Sequence, residues 1–557
     1  MGREVVTLQL GHAASFVGTH FWNTQTAIME SAGGDSSEVD HDVLFRAGEN
    51  YKASDLYEPS ENPRQLHAWN GAMQVFESDP APSNAFLESL NDPAMLASPP
   101  TSFSAQLSQT VRVWSDFNAP FYHPKTIFEM SSHTHNDENN RFLTFSRGRE
   151  VFDELDLIND LVDERIRFFM EEADSPQGFQ AIVDTFDGFS GLSAAVLETL
   201  AEEYPKKARI VFGLALPDTG GLSNEQQLVQ KVNRALTLKC MSEASSLYIP
   251  LRAPSPSRFG SGRWQMHLVP QARAIGLVTS TYAWSGYVAA GLDTLSLPFR
   301  LKTDSRLDMH DLASLLNPRA ETKAAALSLS LPVPLPADRS APLEQVFSIS
   351  SRGRYEHAWD LTLGTPYDAM DRDALASFSV FRGVAAALQT QELGANELPH
   401  TQTQVRKILA QFARDSGPAF AQRCSAVGCS DLICTAVGAY TRGSNSVVAE
   451  LPFPVHASFP QLFAPTVSAG GLVRDSVADG KEHGAVTQCA VHVRAHTGPA
   501  LRPLFERAIQ SLDISPRDGW LLTAFGSGTR FGLERSDFAA AREDLETLCE
   551  AYGGEPE

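Results

Sequence analysis

No run of roughly 18 or more apolar residues occurs in the chain, so no transmembrane helix is expected. Cysteine is scarce, with six in 557 residues, namely Cys240, Cys424, Cys429, Cys434, Cys489 and Cys549. That is too few for the disulfide framework of a small secreted domain, and a reducing compartment fits better. Cys424, Cys429 and Cys434 recur every five residues, whereas zinc ligands pair two to four apart and need a fourth donor nearby, so no metal site is expected there. Positive charge is also short: 45 Lys and Arg face 67 Asp and Glu, for a net charge of −22. Such a balance repels a phosphate backbone, which makes nucleic acid an unexpected partner, and it disfavours direct adsorption to an anionic membrane. An internal repeat is lacking as well.

What is present is the composition of a globular protein, 43% hydrophobic and 20% charged. At about 100–200 residues per domain, the length suggests two to four domains. Val5 to Leu10 is β-branched and apolar, Gly11 punctuates it, and Phe16, Val17, Phe21 and Trp22 follow at helical intervals: strand, turn, helix. Residues 78–106 crowd Pro80, Pro82, Pro93, Pro99 and Pro100 among Ser, Ala and Asn and predict an exposed loop or insertion. From Val151 to Met170 the apolar residues fall three or four apart among carboxylates, which predicts an amphipathic helix with a solvated acidic face and no catalytic acid pair.

A second strand, turn and helix follow in Phe179–Phe186, Asp187–Gly191 and Ser193–Tyr204, and Arg209–Leu216 adds a further buried strand. Strands alternating with helices describe a doubly wound α/β domain whose ligand crevice lies at the turns after the strands. The alternating prolines of residues 331–344 mark a connector, and Ser536–Tyr552 predicts a closing amphipathic helix. The expected domains are 1–250, a core helix and connecting segment over 251–330, and a second α/β domain with a C-terminal helix over 331–557.

Arg3-Glu4-Val5-Val6-Thr7-Leu8-Gln9-Leu10-Gly11-His12 and Gly18-Thr19-His20-Phe21-Trp22 resemble the start of a tubulin. Pro176-Gln177-Gly178-Phe179-Gln180 and Glu202-Glu203-Tyr204-Pro205 resemble the stretches that bracket the tubulin glycine-rich loop. Closer still, Gln9-Leu10-Gly11-His12, Phe21-Trp22-Asn23, Val113-Trp114-Ser115-Asp116-Phe117, Asp187-Gly188-Phe189-Ser190-Gly191, Leu292-Asp293-Thr294 and Leu297-Pro298-Phe299-Arg300 resemble Misato proteins. These blocks span residues 1 to 300, with a weaker continuation to Tyr552. The resemblance implies a tubulin/FtsZ-like α/β fold with a Misato segment II-like N-terminus. One departure is the stretch 57–71, which is too polar and short for the apolar strand and Asp-Leu turn that such proteins carry there.

Tubulins hold GTP by bringing backbone N–H groups of glycine-rich turns and helix N-termini against the phosphates. In the first turn only Gly11 and Gly18 remain, and His12 stands where tubulin has a glutamine beside the phosphate and magnesium. Tubulin's Gly-Gly-Gly-Thr-Gly-Ser-Gly is replaced by Phe186-Asp187-Gly188-Phe189-Ser190-Gly191, one residue shorter, with an acid and two aromatics. Asp187 would repel a phosphate: like charges about 4 Å apart cost roughly 4 kcal/mol at an effective dielectric constant of 20, about a thousandfold in affinity. The water-positioning acidic loop is matched only by Asp308 and Asp311, which read more simply as a helix cap and a first-turn carboxylate. Gly11, His12, Gly188, Ser190 and Gly191 are therefore the candidate contacts of a vestigial nucleotide pocket, with no catalytic and no metal residues expected.

Other chemistry is weakly signalled. Gly188-Phe189-Ser190-Gly191 lacks the spacing and partners of a nucleophile elbow, and Phe525-Gly526-Ser527-Gly528-Thr529 lacks the lysine of a phosphate loop. His133 and His135 sit in a polar stretch, and His492 and His496 in a strand-like one, neither pair being a convincing ligand set. The resemblance implies a non-enzymatic protein serving mitochondrial distribution, morphology, fusion and mitochondrial DNA inheritance. It places the chain in the cytoplasm and at the mitochondrial outer surface, since the N-terminus carries neither a signal-peptide core nor an Arg-rich presequence. The expected partners are proteins at that surface, with the cytoskeleton or chaperonin machinery as further candidates. Two alternatives stay open: a regulatory protein that binds GTP or GDP with slow or no hydrolysis, and a cytoskeletal, spindle-associated or tubulin-folding factor.

Overall fold

The computed structural model describes residues 3–31, 38–46, 85–91, 100–130, 133, 142–216, 221–252, 280–302, 306–333, 354–363, 365–368, 374–383, 445–472, 485–514, 518–526 and 531–553. The stretch 57–71 and the cysteines Cys424, Cys429 and Cys434 lie outside these residues.

Strand β1 (Val5–Leu10) leads through Gly11 into helix α1 (His12–Ser31). Helices α2 (Ala85–Asn91) and α3 (Pro100–Thr110) follow, then α4 (Phe145–Glu154), a π-helical stretch Ile158–Ile166 and α5 (Arg167–Glu172). Next come β2 (Gly178–Asp184), α6 (Phe189–Glu203), β3 (Ala208–Ala215), α7 (Asn224–Ala244) and β4 (Leu247–Arg252). The four strands form a parallel sheet in the order β1-β2-β3-β4.

The period of two along these strands explains the layers. Ile182, Ile210, Phe212, Leu214, Leu247, Ile249 and Leu251 face one side, packed with Ala13, Ala14, Val17 and Phe21 of α1. Their neighbours Phe179, Ala181, Val183, Val211 and Tyr248 face the other, packed with α4, α6 and α7. Both faces being covered, the strands read as continuous apolar runs, which is why β2 and β3 were legible.

Helix α8 (Thr281–Ser296) is buried along nearly its whole length and packs along α1. A 3-10 turn, Leu297–Arg300, and α9 (Met309–Leu316) lead to β5 (Ala326–Ser330). The remaining strands are β6 (Arg354–Asp360), β7 (Thr365–Asp368), β8 (Ala376–Arg382), β9 (Asn445–Ala449), β10 (Phe453–Pro454), β11 (Gln488–Cys489) and β12 (Val491–Thr497). A six-stranded sheet runs β7-β6-β5-β12-β8-β9, antiparallel except for the β8–β9 pair, and β10 pairs with β11. Leu327, Leu329, Phe378, Val380, Val491, Val493 and Ala495 close the same core that α8 shares with the first sheet. Helices α10 (Arg502–Leu512), α11 (Trp520–Phe525) and α12 (Arg535–Ala551) return to the far face of the first sheet, with Phe505, Leu512, Phe525, Phe538, Leu545 and Tyr552 buried there. The tubulin-like α/β fold with C-terminal helices is as the sequence implied.

Two local expectations are corrected. The 78–106 region is not simply an exposed loop: α2 and α3 bury Phe86, Phe103 and Leu107 against Phe16, Phe117 and Tyr282. Pro100 opens α3 at the position where a helix requires no N–H, so proline there starts a helix instead of preventing one. The helix expected from Val151 to Met170 is broken. Asp156 adopts a left-handed conformation with φ 49° after α4, and the chain resumes as the π-helical stretch. The apolar face survives the break, since Val151, Phe152, Leu157, Val162, Ile166 and Met170 remain buried.

Candidate functional site

In an open parallel sheet the ligand crevice lies beyond the carboxyl ends of the strands. Here β1 and β2 deliver Gly11 and Asp184 to that place. Helix α1 begins with no acidic residue in its first turn, and its leading N–H groups need acceptors. The Asp184 carboxylate supplies them: Oδ2 accepts from Ala13 N at 2.9 Å and Oδ1 from Ala14 N at 2.8 Å. Gly11 (φ 132°) makes this approach feasible, since a Cβ there would stand 2.3 Å from Asp184 Cγ. His12 lies at the start of α1 with its ring 5.1 Å from that of Phe16.

At the second turn, Asp187 folds back on its own helix. Its Oδ1 accepts from Phe189 N at 3.0 Å, and its carbonyl accepts from the Ser190 backbone N at 3.1 Å and from the Ser190 hydroxyl. The glycines meet protein, not open crevice. Gly188 N donates to Phe142 O at 3.0 Å, and a Cβ on Gly188 would stand 2.7 Å from the Phe142 ring. A Cβ on Gly191 would stand 1.8 Å from the carbonyl oxygen of Phe145. Residues 142–145 thus lie across the start of α6. Asn233 of α7 holds them there: its Nδ2 donates to Leu143 O at 2.7 Å and Phe186 O at 2.9 Å, and its Oδ1 accepts from Phe145 N at 2.9 Å.

The two acids sense each other. Burial, and after it the neighbouring Asp187, push the Asp184 carboxyl well above the usual carboxylate range, against the pull of the Ala13, Ala14 and His12 N–H groups. Burial likewise raises Asp187 to about 7, opposed by the Phe189 N–H. The crevice therefore holds two carboxyl groups, one at each helix N-terminus, whose protons are held more tightly than those of exposed acids.

Asp308 and Asp311 take the plainer of their two readings. Asp308 is the N-cap of α9, its N–H donating to Asp311 Oδ2 at 3.3 Å, and its carboxylate pairs with Arg3. The motif residues Asp293 and Arg300 pair inside the core at 2.8 Å, joined by Arg382 of β8 and by Gln25, whose Nε2 donates to Asp293 Oδ1 at 2.6 Å. Asn23 joins two more motif blocks: its Nδ2 donates to Phe117 O at 2.7 Å and to Ser458 Oγ at 2.8 Å, and its Oδ1 accepts from Ala119 N at 2.9 Å. His492 stacks on Phe381, and His496 lies 3.7 Å from Asp360. His133 packs on Phe142, while His135 lies outside the described residues. Among the described residues no cluster of three or more His, Cys, Asp or Glu is arranged to hold a metal ion, and no helix is long and apolar enough to cross a membrane.

Gly11, His12, Gly188, Ser190 and Gly191 are thus placed at two helix starts on one crevice, but the residues that define the site are Asp184, Phe142 and Asn233. Asp184 carried a readable signal, being an acid that ends a largely apolar buried strand on the crevice side. Phe142 and Asn233 carried none, because their contacts cross long sequence separations.

Comparison with known proteins gives a consistent picture. A family model described as Misato Segment II tubulin-like domain matches residues 3–61, and one described as Tubulin domain matches residues 104–301. The chain is 28% identical to "Protein misato homolog 1" of Mus musculus over 99% of its own length and 98% of the relative's. It is 27% identical to the Homo sapiens protein of that name, over the same shares of each. It is 30% identical to "Protein dml-1" of Neurospora crassa over 59% of this chain, a match that spans 62% of the relative.

Proposed function

Because the chain belongs to the Misato family of tubulin-like proteins, we propose that it acts as a non-enzymatic adaptor on a tubulin fold, with a crevice that takes no nucleotide. The observation that carries this reading is the contact of Gly188 and Gly191 with the backbone and ring of Phe142–Phe145. Glycines that would let phosphate approach in a tubulin are here spent on packing α4 and its lead-in segment onto α6. Asp308, capping its own helix and paired with Arg3, supports the same reading for hydrolysis.

Service to mitochondrial distribution, morphology, fusion and inheritance, at the outer mitochondrial surface and in the cytoplasm, is the part of the proposal that follows from family resemblance alone. Function on this fold then resides in protein contacts at the surface. Thermal unfolding with and without millimolar GTP or GDP and magnesium tests the crevice, because a ligand of the native state must raise apparent stability. No shift is expected. A saturable rise, abolished by Gly188→Trp, would replace this reading with a regulatory nucleotide-binding protein. Depletion in cells tests the role: mitochondrial networks should change before microtubules do, and the reverse order would point to a cytoskeletal factor.

A further inference from the structure

We propose that Asp184 is a tethered substitute for a phosphate ligand, the residue that fills an inherited oxyanion site and keeps free oxyanions out of it. The inference rests on the reading that the native crevice takes no nucleotide, and it assigns the exclusion to one side chain.

Every part of a helix-terminal oxyanion site is present and used. The two carboxylate oxygens are gripped by N–H groups of consecutive residues, Ala13 at 2.9 Å and Ala14 at 2.8 Å, as the first turn of a helix grips a phosphate. The glycine before the helix, which in such sites lets a ligand approach the backbone, lets Asp184 approach instead, with only 2.3 Å between its would-be Cβ and Asp184 Cγ.

The carboxylate is also held in place from behind. Strand β2 lies between β1 and β3, with Val183 in register with Leu10 and Asp184 with Leu214, so the backbone that carries the acid is fixed beside the start of α1 by a neighbour on each side. Above about pH 7, where it is ionised, Asp187 adds a second negative charge close enough to bear on Asp184, which opposes any free anion that does enter. A tethered carboxylate needs no ligand concentration to stay bound, so α1 is capped at all times.

Four proteins test this: the native chain, Asp184→Gly, Asp187→Asn and the double variant. Melting temperature is measured against inorganic phosphate and pyrophosphate, with chloride at matched ionic strength. The native chain sets the baseline for the general stabilising effect of phosphate on folded proteins. Asp184→Gly should melt lower and recover with phosphate by a few degrees beyond the native response, through mass action at the emptied turn. At pH 8, where Asp187 is ionised, the double variant should respond at roughly tenfold lower phosphate, because a like charge is gone. Asp187→Asn alone should respond no more than the native chain.

An Asp184→Gly variant whose melting responds to phosphate no more than the native chain overturns the inference while leaving the nucleotide-free reading standing. A saturable native response to GTP and magnesium overturns that reading instead. If Asp184→Gly does not fold without phosphate, refolding on its addition supports the proposal. Failure to refold in phosphate, with the volume-matched Asp184→Asn folded, sinks it.

Discussion

Gly148 of α4 and Gly188 at the start of α6 touch backbone to backbone: a Cβ on Gly148 would stand 1.8 Å from the Gly188 carbonyl oxygen and 2.6 Å from Leu192 N. This contact is as close as that of Gly191 with the Phe145 carbonyl oxygen, also 1.8 Å, and it seats α4 on the start of α6. Two effects oppose each other when Gly148 becomes alanine. Helix propensity favours alanine by about 1 kcal/mol in a helix interior, while overpacking costs about 1–3 kcal/mol, and more where the obstacle is backbone. The second should win. Gly148→Ala is expected to lower unfolding stability in a urea titration, whereas Gly221→Ala, where a Cβ meets nothing within 4 Å, should leave it within about 0.5 kcal/mol. A stabilised Gly148→Ala would show that α4 and α6 are not held in this contact.

The buried charges of Asp293, Arg300 and Arg382 predict an asymmetry. All three side chains are at most 2% exposed, and they carry one negative and two positive charges. Burial pushes the Asp293 carboxyl up, but Arg300 and Arg382 outweigh it and hold the group below the usual carboxylate range. Asp293→Asn leaves two buried guanidinium groups without their counter-charge, a loss of about 3–5 kcal/mol. Arg382→Met leaves Asp293 and Arg300 as a neutral pair and removes a cation whose burial is itself unfavourable, so its cost should be clearly smaller. Denaturant unfolding of both variants decides the matter, and equal losses would refute the pairing as described.

Much of the first sheet was legible because parallel strands covered on both faces are largely apolar, as Ala181–Val183 and Ile210–Leu214 are. The closing helix was legible from Phe538, Leu545 and Tyr552 at helical spacing. Residues 78–106 misled because proline count weighs against a helix without regard to position, while Pro100 sits where proline is tolerated. The break at Asp156 left the apolar periodicity intact, so no pattern could reveal it. For the crevice, glycine counting picked out both turns but not the side chain that caps α1. Asp187 was read only as a charge opposed to phosphate, and its carboxylate also accepts from Phe189 N, a local contact that no spacing announced. Asp184 was not singled out, although an acid closing a largely apolar strand was a readable signal; the groups it grips become visible only once β2 meets α1.

The raised Asp187 carboxyl gives a pH dependence with a defined sign. Its value in the folded chain is about 7 against 3.8 for the unreacted group, so between these values the native state holds a proton that the unfolded chain releases. The associated stability is fully present below about pH 4 and is lost as pH rises through about 7. Asp187→Asn mimics the protonated form and keeps an oxygen for the Phe189 N–H, so it should match the native chain near pH 4 and exceed it increasingly toward pH 8. Removing this charge also relieves Asp184, whose carboxyl is pushed up in part by Asp187, and the two effects add with the same sign. The quantity to measure is the difference in melting temperature between variant and native chain at pH 4, 5, 6, 7 and 8, which cancels the titration of groups common to both. A difference that stays flat across that range would mean that Asp187 is ionised throughout and that the crevice tolerates both charges.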